Sequence, residues 1–333
     1  MNKKTLSLAV LLALVATSAN ANDNSSNTYQ HEANVTFGSH TDNFDNGLWS
    51  LDYRFYFSPV DTDNGPYALN GFLAQESNLG AQYAQIRTLD NSALYRIDGT
   101  YVINSKWFVA ANYNEVDFDD EGALIISLAD DMSEYGFSLG YYFNPTSEFS
   151  LSYQAGSASG SSSFDNDIYS HSASSESDNK KYSAQVHSFV PLASFSGLDF
   201  LAKWSYIDSS YDYSREMTDK TSNEIIERNY QSKTDSDNNI VNLTADWYIT
   251  KSWSVGAGYL WGQYDTKSHY VNPDGDYQFS HDDSNSSYSI STSYWWQISQ
   301  LFAANFSAAK QFGLDGDNTP DGFAIGASIN GRF

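Results

Sequence analysis

Cysteine is missing from all 333 residues, and that excludes several classes at once. No disulfide can staple the fold, and no acyl chain can be attached behind a leader, so a lipoprotein is excluded. Basic residues are scarce: 17 Lys and Arg stand against 41 Asp and Glu, a net charge of −24. A surface that acidic repels polyanions, so nucleic acid is not expected as a partner. Proline is rare too, and no Pro/Gly-rich linker divides the chain into soluble domains. Long apolar runs are also absent. After the N-terminal segment no stretch of eighteen apolar residues occurs, so no transmembrane helix is expected.

What is present points elsewhere. Aromatic residues make up 16% of the chain, too many for a sequence that stays disordered because it cannot bury surface. At the N-terminus, Lys3 and Lys4 precede the apolar run Leu6 to Ala16, and Ala19-Asn20-Ala21 supplies small residues at a cleavage site. Residues 1–21 read as a signal peptide, with the mature chain 22–333 starting at Asn22. Removing the leader makes the remainder more acidic by two charges.

The dominant pattern is alternation, the period of a strand with two unlike faces. Trp49, Leu51, Tyr53, Phe55 and Phe57 alternate with Ser50, Asp52, Arg54 and Tyr56. Val241, Leu243, Ala245 and Trp247 alternate with Asn242, Thr244, Asp246 and Tyr248. The ends of the apolar faces are aromatic, as at Trp107 and Tyr113 or Trp253 and Trp261. Rings with an apolar body and a polar tip suit the two edges of a membrane, whereas a soluble sandwich keeps its largest side chains near mid-strand.

About fourteen such segments can be marked, and twelve to sixteen fit; the third is read at 66–77. Short connectors (Asn104-Ser105, Pro145 to Ser147, Lys251, Ile298-Ser299) alternate with long polar ones (Ala158 to Lys180, Ser209 to Asn238, Tyr264 to Asn285). The expected fold is therefore all-β: a transmembrane antiparallel up-and-down β-barrel in a Gram-negative outer membrane. Short turns and both termini face the periplasm, and long loops face outward among lipid and lipopolysaccharide.

Several strings resemble the general bacterial porins. They are Leu51 to Phe57 followed by Ser58-Pro59, then Gly65-Pro66-Tyr67-Ala68-Leu69, and Gly140-Tyr141-Tyr142-Phe143-Asn144-Pro145. Phe333, with Ile329, Ala327 and Ile325 alternating before it, is similar to the signal read by the barrel-assembly machinery. The position two residues before the terminal Phe, often aromatic in that signal, is Gly331. The resemblance implies a diffusion channel for small hydrophilic solutes. It also implies a third extracellular loop that folds into the bore.

Alternation assigns Asp52, Arg54, Arg96, Asp98, Lys203, Asp246 and Arg332 to the lumen, with Arg54, Arg96 and Lys203 facing Asp52, Asp98 and Asp246 across it. The 117–133 connection is the third extracellular loop. Its Asp117, Asp119, Asp120, Glu121, Asp130 and Asp131 surround an apolar stretch, Ala123 to Leu128, which could pack on the inner wall or sit in an outer hairpin. The acidic loops would make a vestibule that concentrates cations. Luminal Tyr56, Tyr142, Tyr248 and Trp295 keep open a channel selective for oligosaccharides, and the long Ser/Asp-rich loops keep open a surface adhesin or receptor. A lipid face and a trimer face look alike here, so a homotrimer is compatible with the pattern.

Catalysis is not expected. No motif orients a nucleophile toward His31, His40, His171, His187, His269 or His281. No cofactor or metal is expected either: Asp274-Gly275-Asp276 and Asp315-Gly316-Asp317-Asn318 lack the spaced acids and closing Glu of a calcium loop.

Overall fold

The structure is a computed structural model that describes residues 27–87, 92–118, 131–193, 196–220, 226–313 and 322–333. Fourteen antiparallel strands close on themselves, each paired with its sequence neighbours and β1 paired with β14. They are β1 (Thr28–His40), β2 (Asn43–Asp61), β3 (Asn78–Ile86), β4 (Ser92–Ile103), β5 (Trp107–Asp117), β6 (Asp131–Asn144) and β7 (Ser147–Asp165). The second half comprises β8 (Tyr169–Ala193), β9 (Ser196–Asp219), β10 (Ile226–Tyr248), β11 (Trp253–Asn272), β12 (Gly275–Gln297), β13 (Phe302–Gly313) and β14 (Ala324–Arg332). Closure leaves no open edge along the shared height of the wall, which a sheet surrounded by hydrocarbon requires. Fourteen strands about 4.8 Å apart and tilted by about 40° enclose a cylinder about 28 Å across.

The outer face is an apolar band between two aromatic girdles. Near the Phe333 end, Trp107 and Tyr141 pack with ring centroids 4.8 Å apart, and Trp253 stands opposite Tyr294. At the other edge Tyr113 pairs with Tyr135, and Tyr182 touches both Tyr153 and Tyr206. Between the girdles, Phe37, Ile97, Phe137, Leu151 and Ile290 are more than half exposed. Exposed apolar side chains in a continuous ring are costly in water and favourable in lipid.

Two expectations are corrected. The segment 66–77 is not a strand. It forms a 3-10 turn, Tyr67–Leu69, and a short helix α1, Asn70–Ala74, while β3 begins at Asn78. Leu69 and Leu73 are spaced by four, so one helical face buries both. Gly65, at φ +92°, makes the preceding bend. The long connectors are also mostly strand: β8 has 25 residues, β9 24 and β10 23. About ten residues suffice to cross a bilayer, so β7 to β12 rise well above the band as a six-stranded sheet.

The chain ends by closing the barrel. Phe333 N–H donates to the His31 carbonyl (2.8 Å), and its own carbonyl accepts from Gln30 and His31 (2.7 and 2.9 Å). Its ring meets Phe302 edge-on. Ile325, Ala327 and Ile329 share one register face of β14, opposite Ser39, Phe37 and Val35.

Candidate functional site

The bore is crossed near the Phe333 end by residues 62–77, which fold inward between β2 and β3. On one side Arg332 holds the segment. Its guanidinium donates to the Tyr67 carbonyl (2.9 Å), to Asn70 Oδ1 (2.9 Å) and to Glu32 Oε1 (3.0 Å). The same guanidinium lies over the rings of Tyr29 and Trp295. On the far side Leu69 and Leu73 pack with Phe189 of β8 and Tyr248 of β10. Phe72 stacks on His187 at 3.7 Å between centroids, and His187 Nε2 is 3.0 Å from Asp199.

Further ties run to the short turns. Tyr67 N–H donates to the Lys251 carbonyl (3.0 Å), Gln75 to the Asn144 carbonyl (2.8 Å), and the Tyr67 hydroxyl to Gln297. Outside the band, Lys251 Nζ meets Asp63 at 2.8 Å, and that hydrogen bond holds the Asp63 carboxyl below the usual carboxylate range. The wall and segment are fitted closely. A Cβ on Gly71 would stand 2.4 Å from the Tyr56 hydroxyl.

Between segment and wall lies a cavity of about 400 Å³ bordered by Asp52, Arg54, Arg96, Asp98, Glu32 and Arg332, with Trp295 beside them. Five of the seven residues assigned to the lumen therefore meet in one place. Lys203 and Asp246 share the inward register of β9 and β10 but lie outside that cavity. Asp246 leans over Gly256, where a Cβ would be 2.1 Å from its carboxylate.

The expected opposition of charges across the lumen is corrected. Arg54 reaches Asp98 at 3.0 Å and Arg96 reaches it at 3.4 Å, all on the wall formed by β2, β3 and β4. Gly80 makes this geometry. It sits in register between Arg54 and Asp98, and a Cβ there would press on both, at 2.9 and 3.0 Å. Asp52 accepts from Ser50 at 2.9 Å. Three carboxylates and three guanidiniums thus border the cavity and sum to zero formal charge.

Other assignments shift. Tyr56, Tyr142 and Tyr248 are buried, packed against the inner segment or, for Tyr142, against Phe108, so none offers a free ring to a passing sugar. Asp117 takes the outward register of β5, shared with Trp107 and Tyr113, instead of facing a permeation path; Asp131 stands opposite it at the start of β6. Asp119, Asp120, Glu121 and Asp130 lie outside the described residues. Above the band the acids also turn outward. Glu176, Asp178, Asp208, Asp212 and Asp235 share the register of lipid-facing Tyr182, Trp204 and Val241. An inner vestibule lined with acids is therefore corrected for β8 to β10.

Sequence reasoning missed Asp199 and the inner segment as partners. The segment's signal was its four-residue apolar spacing, and Gly80 gave none.

A family model described as "Putative general bacterial porin" matches residues 1–293. None of the curated proteins matches. Among solved structures, the outer membrane protein Omp33 of Acinetobacter baumannii aligns at TM-score 0.50 and 16% identity, over 92% of this chain and 100% of that one. OmpT, an outer membrane protein of Vibrio cholerae, aligns at TM-score 0.38 and 7% identity, over 93% and 99%. The match to Omp33 is a likeness of fold.

Proposed function

This chain belongs to the general bacterial porin family, and from that premise we propose that it is a passive, water-filled channel for small hydrophilic solutes. It is an outer-membrane barrel set among lipid and lipopolysaccharide. The observation that carries the reading is the inner segment: a polar bore inside a backbone cylinder about 28 Å across is narrowed at one end by residues tied to opposite walls. Solutes enter at the wide end and leave past that segment, whose position Arg332, Glu32, Asn70 and Tyr67 fix. No step of this transport makes or breaks a covalent bond.

The pore residues act as a balanced set. With zero formal charge at the cavity, ion preference comes from the acids on the outer register of β8 to β10 and in the long connections. Their field reaches about 8 Å at physiological salt and about 3 Å at 1 M. The cation preference we propose is therefore modest and falls as salt rises. Phe333, with Ile329, Ala327 and Ile325, serves as the assembly signal, and three such barrels packed on their apolar bands would form a homotrimer.

Planar-bilayer recording joined with liposome swelling tests the reading. Discrete conductance steps and sugar uptake ordered by size are expected. A folded barrel that neither conducts nor swells liposomes would instead be a display scaffold for its tall sheet.

A further inference from the structure

We propose that the inner face of the tall sheet above the membrane band is a saccharide-binding wall. It rests on the channel reading only for the side from which solutes arrive. Tyr211 and Tyr213 of β9, Tyr230 of β10 and Tyr270 of β11 border a pocket of about 300 Å³ with Ser232, the lower end of the range for small-molecule sites. Their place on the inner face follows from unbroken pairing with the luminal residues below them. Tyr211 and Tyr213 share the register of Lys203, and Tyr230 and Ser232 that of Asp246.

One rung runs Ser175, Tyr213, Ser232, Tyr270; the next runs Ser177, Tyr211, Thr234, Ser268. Each tyrosine thus stands beside hydroxyls. Thr234 and Ser268 hydrogen-bond at 3.0 Å, and Ser236 and Thr266 at 3.2 Å. Tyr213 and Tyr270 stand about 10 Å apart, two strand spacings, which suits a disaccharide.

The chemistry selects the ligand class. Sugars present apolar C–H faces and rims of hydroxyls. Tyrosine rings offer flat apolar area at little entropic cost, and Ser and Thr hydroxyls both donate and accept. Acids have been kept away: between the band and Arg215, the inward register of β8 to β11 holds no Asp or Glu, and Lys181 at the edge of the band is its one charged residue, while the outward register is rich in acids. A quaternary ammonium ligand fits worse. The rings lie along one sheet face instead of enclosing a cation, and Arg215 shares that face opposite Tyr230.

Arg215 adds a preference. It donates from Nη2 to the Tyr169 hydroxyl (3.3 Å), and its Nε has no hydrogen-bond partner among the described residues. Its Nε is buried, but the residue is partly exposed, and a guanidinium at the end of a tyrosine wall suits a carboxylate, so acidic sugars should bind more tightly than neutral ones.

Saturation-transfer NMR on the detergent-solubilised barrel tests this without needing conductance, using maltopentaose as the neutral probe and tri-galacturonate as the acidic one. Transfer to both sugars is expected, with the acidic one bound at least fivefold tighter. Tyr213→Ala with Tyr270→Ala should weaken both at least tenfold, and Arg215→Gln should bring the ratio to about one. Each variant is checked for the heat-shifted gel mobility of a folded barrel, and Tyr213→Phe, which keeps the ring, should bind nearly as the parent does. No transfer to either sugar, or unchanged binding in the double variant, overturns the inference. So does choline binding in place of sugar. Conductance without sugar binding sinks this inference alone, and sugar binding without conductance sinks the channel reading alone.

Discussion

The two ends of the barrel solve the problem of a wide bore in opposite ways. At the Phe333 end the strands stop at short turns, and the opening is narrowed by residues 62–77. Arg332, Glu32, Asn70, Lys251 and Asp63 fix that segment with charged and directional bonds. At the far end β7 to β12 simply continue, and below Arg215 their inner face above the band carries few charges, Lys181 of β8 and Asp283 of β12. The lower end is built to hold a position, so its polar groups are paired. The upper end is built to meet solutes, so its polar groups are mostly neutral, repeated and accessible. Among the described residues the upper part of β12 has no strand beyond it until Ser287, and Asp276, Asp282 and Asp283 guard that edge against pairing with another sheet.

Breaking the lower end should have the largest effect. Replacing residues 64–76 with a flexible Gly/Ser linker removes the narrowest part of the path, and single-channel conductance should rise at least threefold. Unchanged conductance would place the restriction elsewhere. Arg332→Met comes next. It leaves Glu32 half-buried without its cation, a loss of about 3–5 kcal/mol for a buried pair. The expected signs are noisy, flickering current and a lower urea midpoint in liposomes. Adding Glu32→Gln should recover part of the stability but not the quiet current, because Tyr67 and Asn70 still lack their donor.

Charge balance at the cavity gives a smaller, sharper test. Asp98→Asn releases Arg54 and Arg96 together and changes the formal charge there from zero to plus one. The reversal potential in a salt gradient should move toward anions, with conductance altered by less than half. If it does not move, the permeation path avoids the β2–β4 wall.

The same contrast explains what could be read in advance. Where one face meets lipid, alternation is written in hydropathy, as from Trp49 to Phe57, and the strand, its faces and its inward Arg54 all follow. Above the band both faces are polar, so a hydropathy scan finds loops. The period of two persists there in another form, as Glu176 and Asp178 against Ser175 and Ser177. The inner segment was misread because turn residues and a short apolar stretch resemble a weak strand, and only the spacing of Leu69 and Leu73 marks a helix. Arg332 could be placed in the lumen from sequence. Its partners could not, since Tyr67 and Asn70 lie some 260 positions away and meet it only through barrel closure.

The smallest effect belongs to the outermost tie, Lys251 with Asp63. The hydrogen bond and charge of Lys251 depress the Asp63 carboxyl. A depressed acid contributes its stabilisation above the ordinary carboxylate value and loses it only as pH falls through the lowered one. The tie therefore persists through mild acid and lets go only in strong acid. Lys251→Gln returns Asp63 toward the ordinary range and removes the cation that lies 4.6 Å from the Tyr67 ring. At pH 7 this exposed pair is worth little, so mean conductance should hardly change. The frequency of brief openings should rise modestly, and the parent should approach that frequency only in strong acid. A parent and variant that flicker alike at every pH would show that the segment is held by Arg332 and its apolar contacts alone.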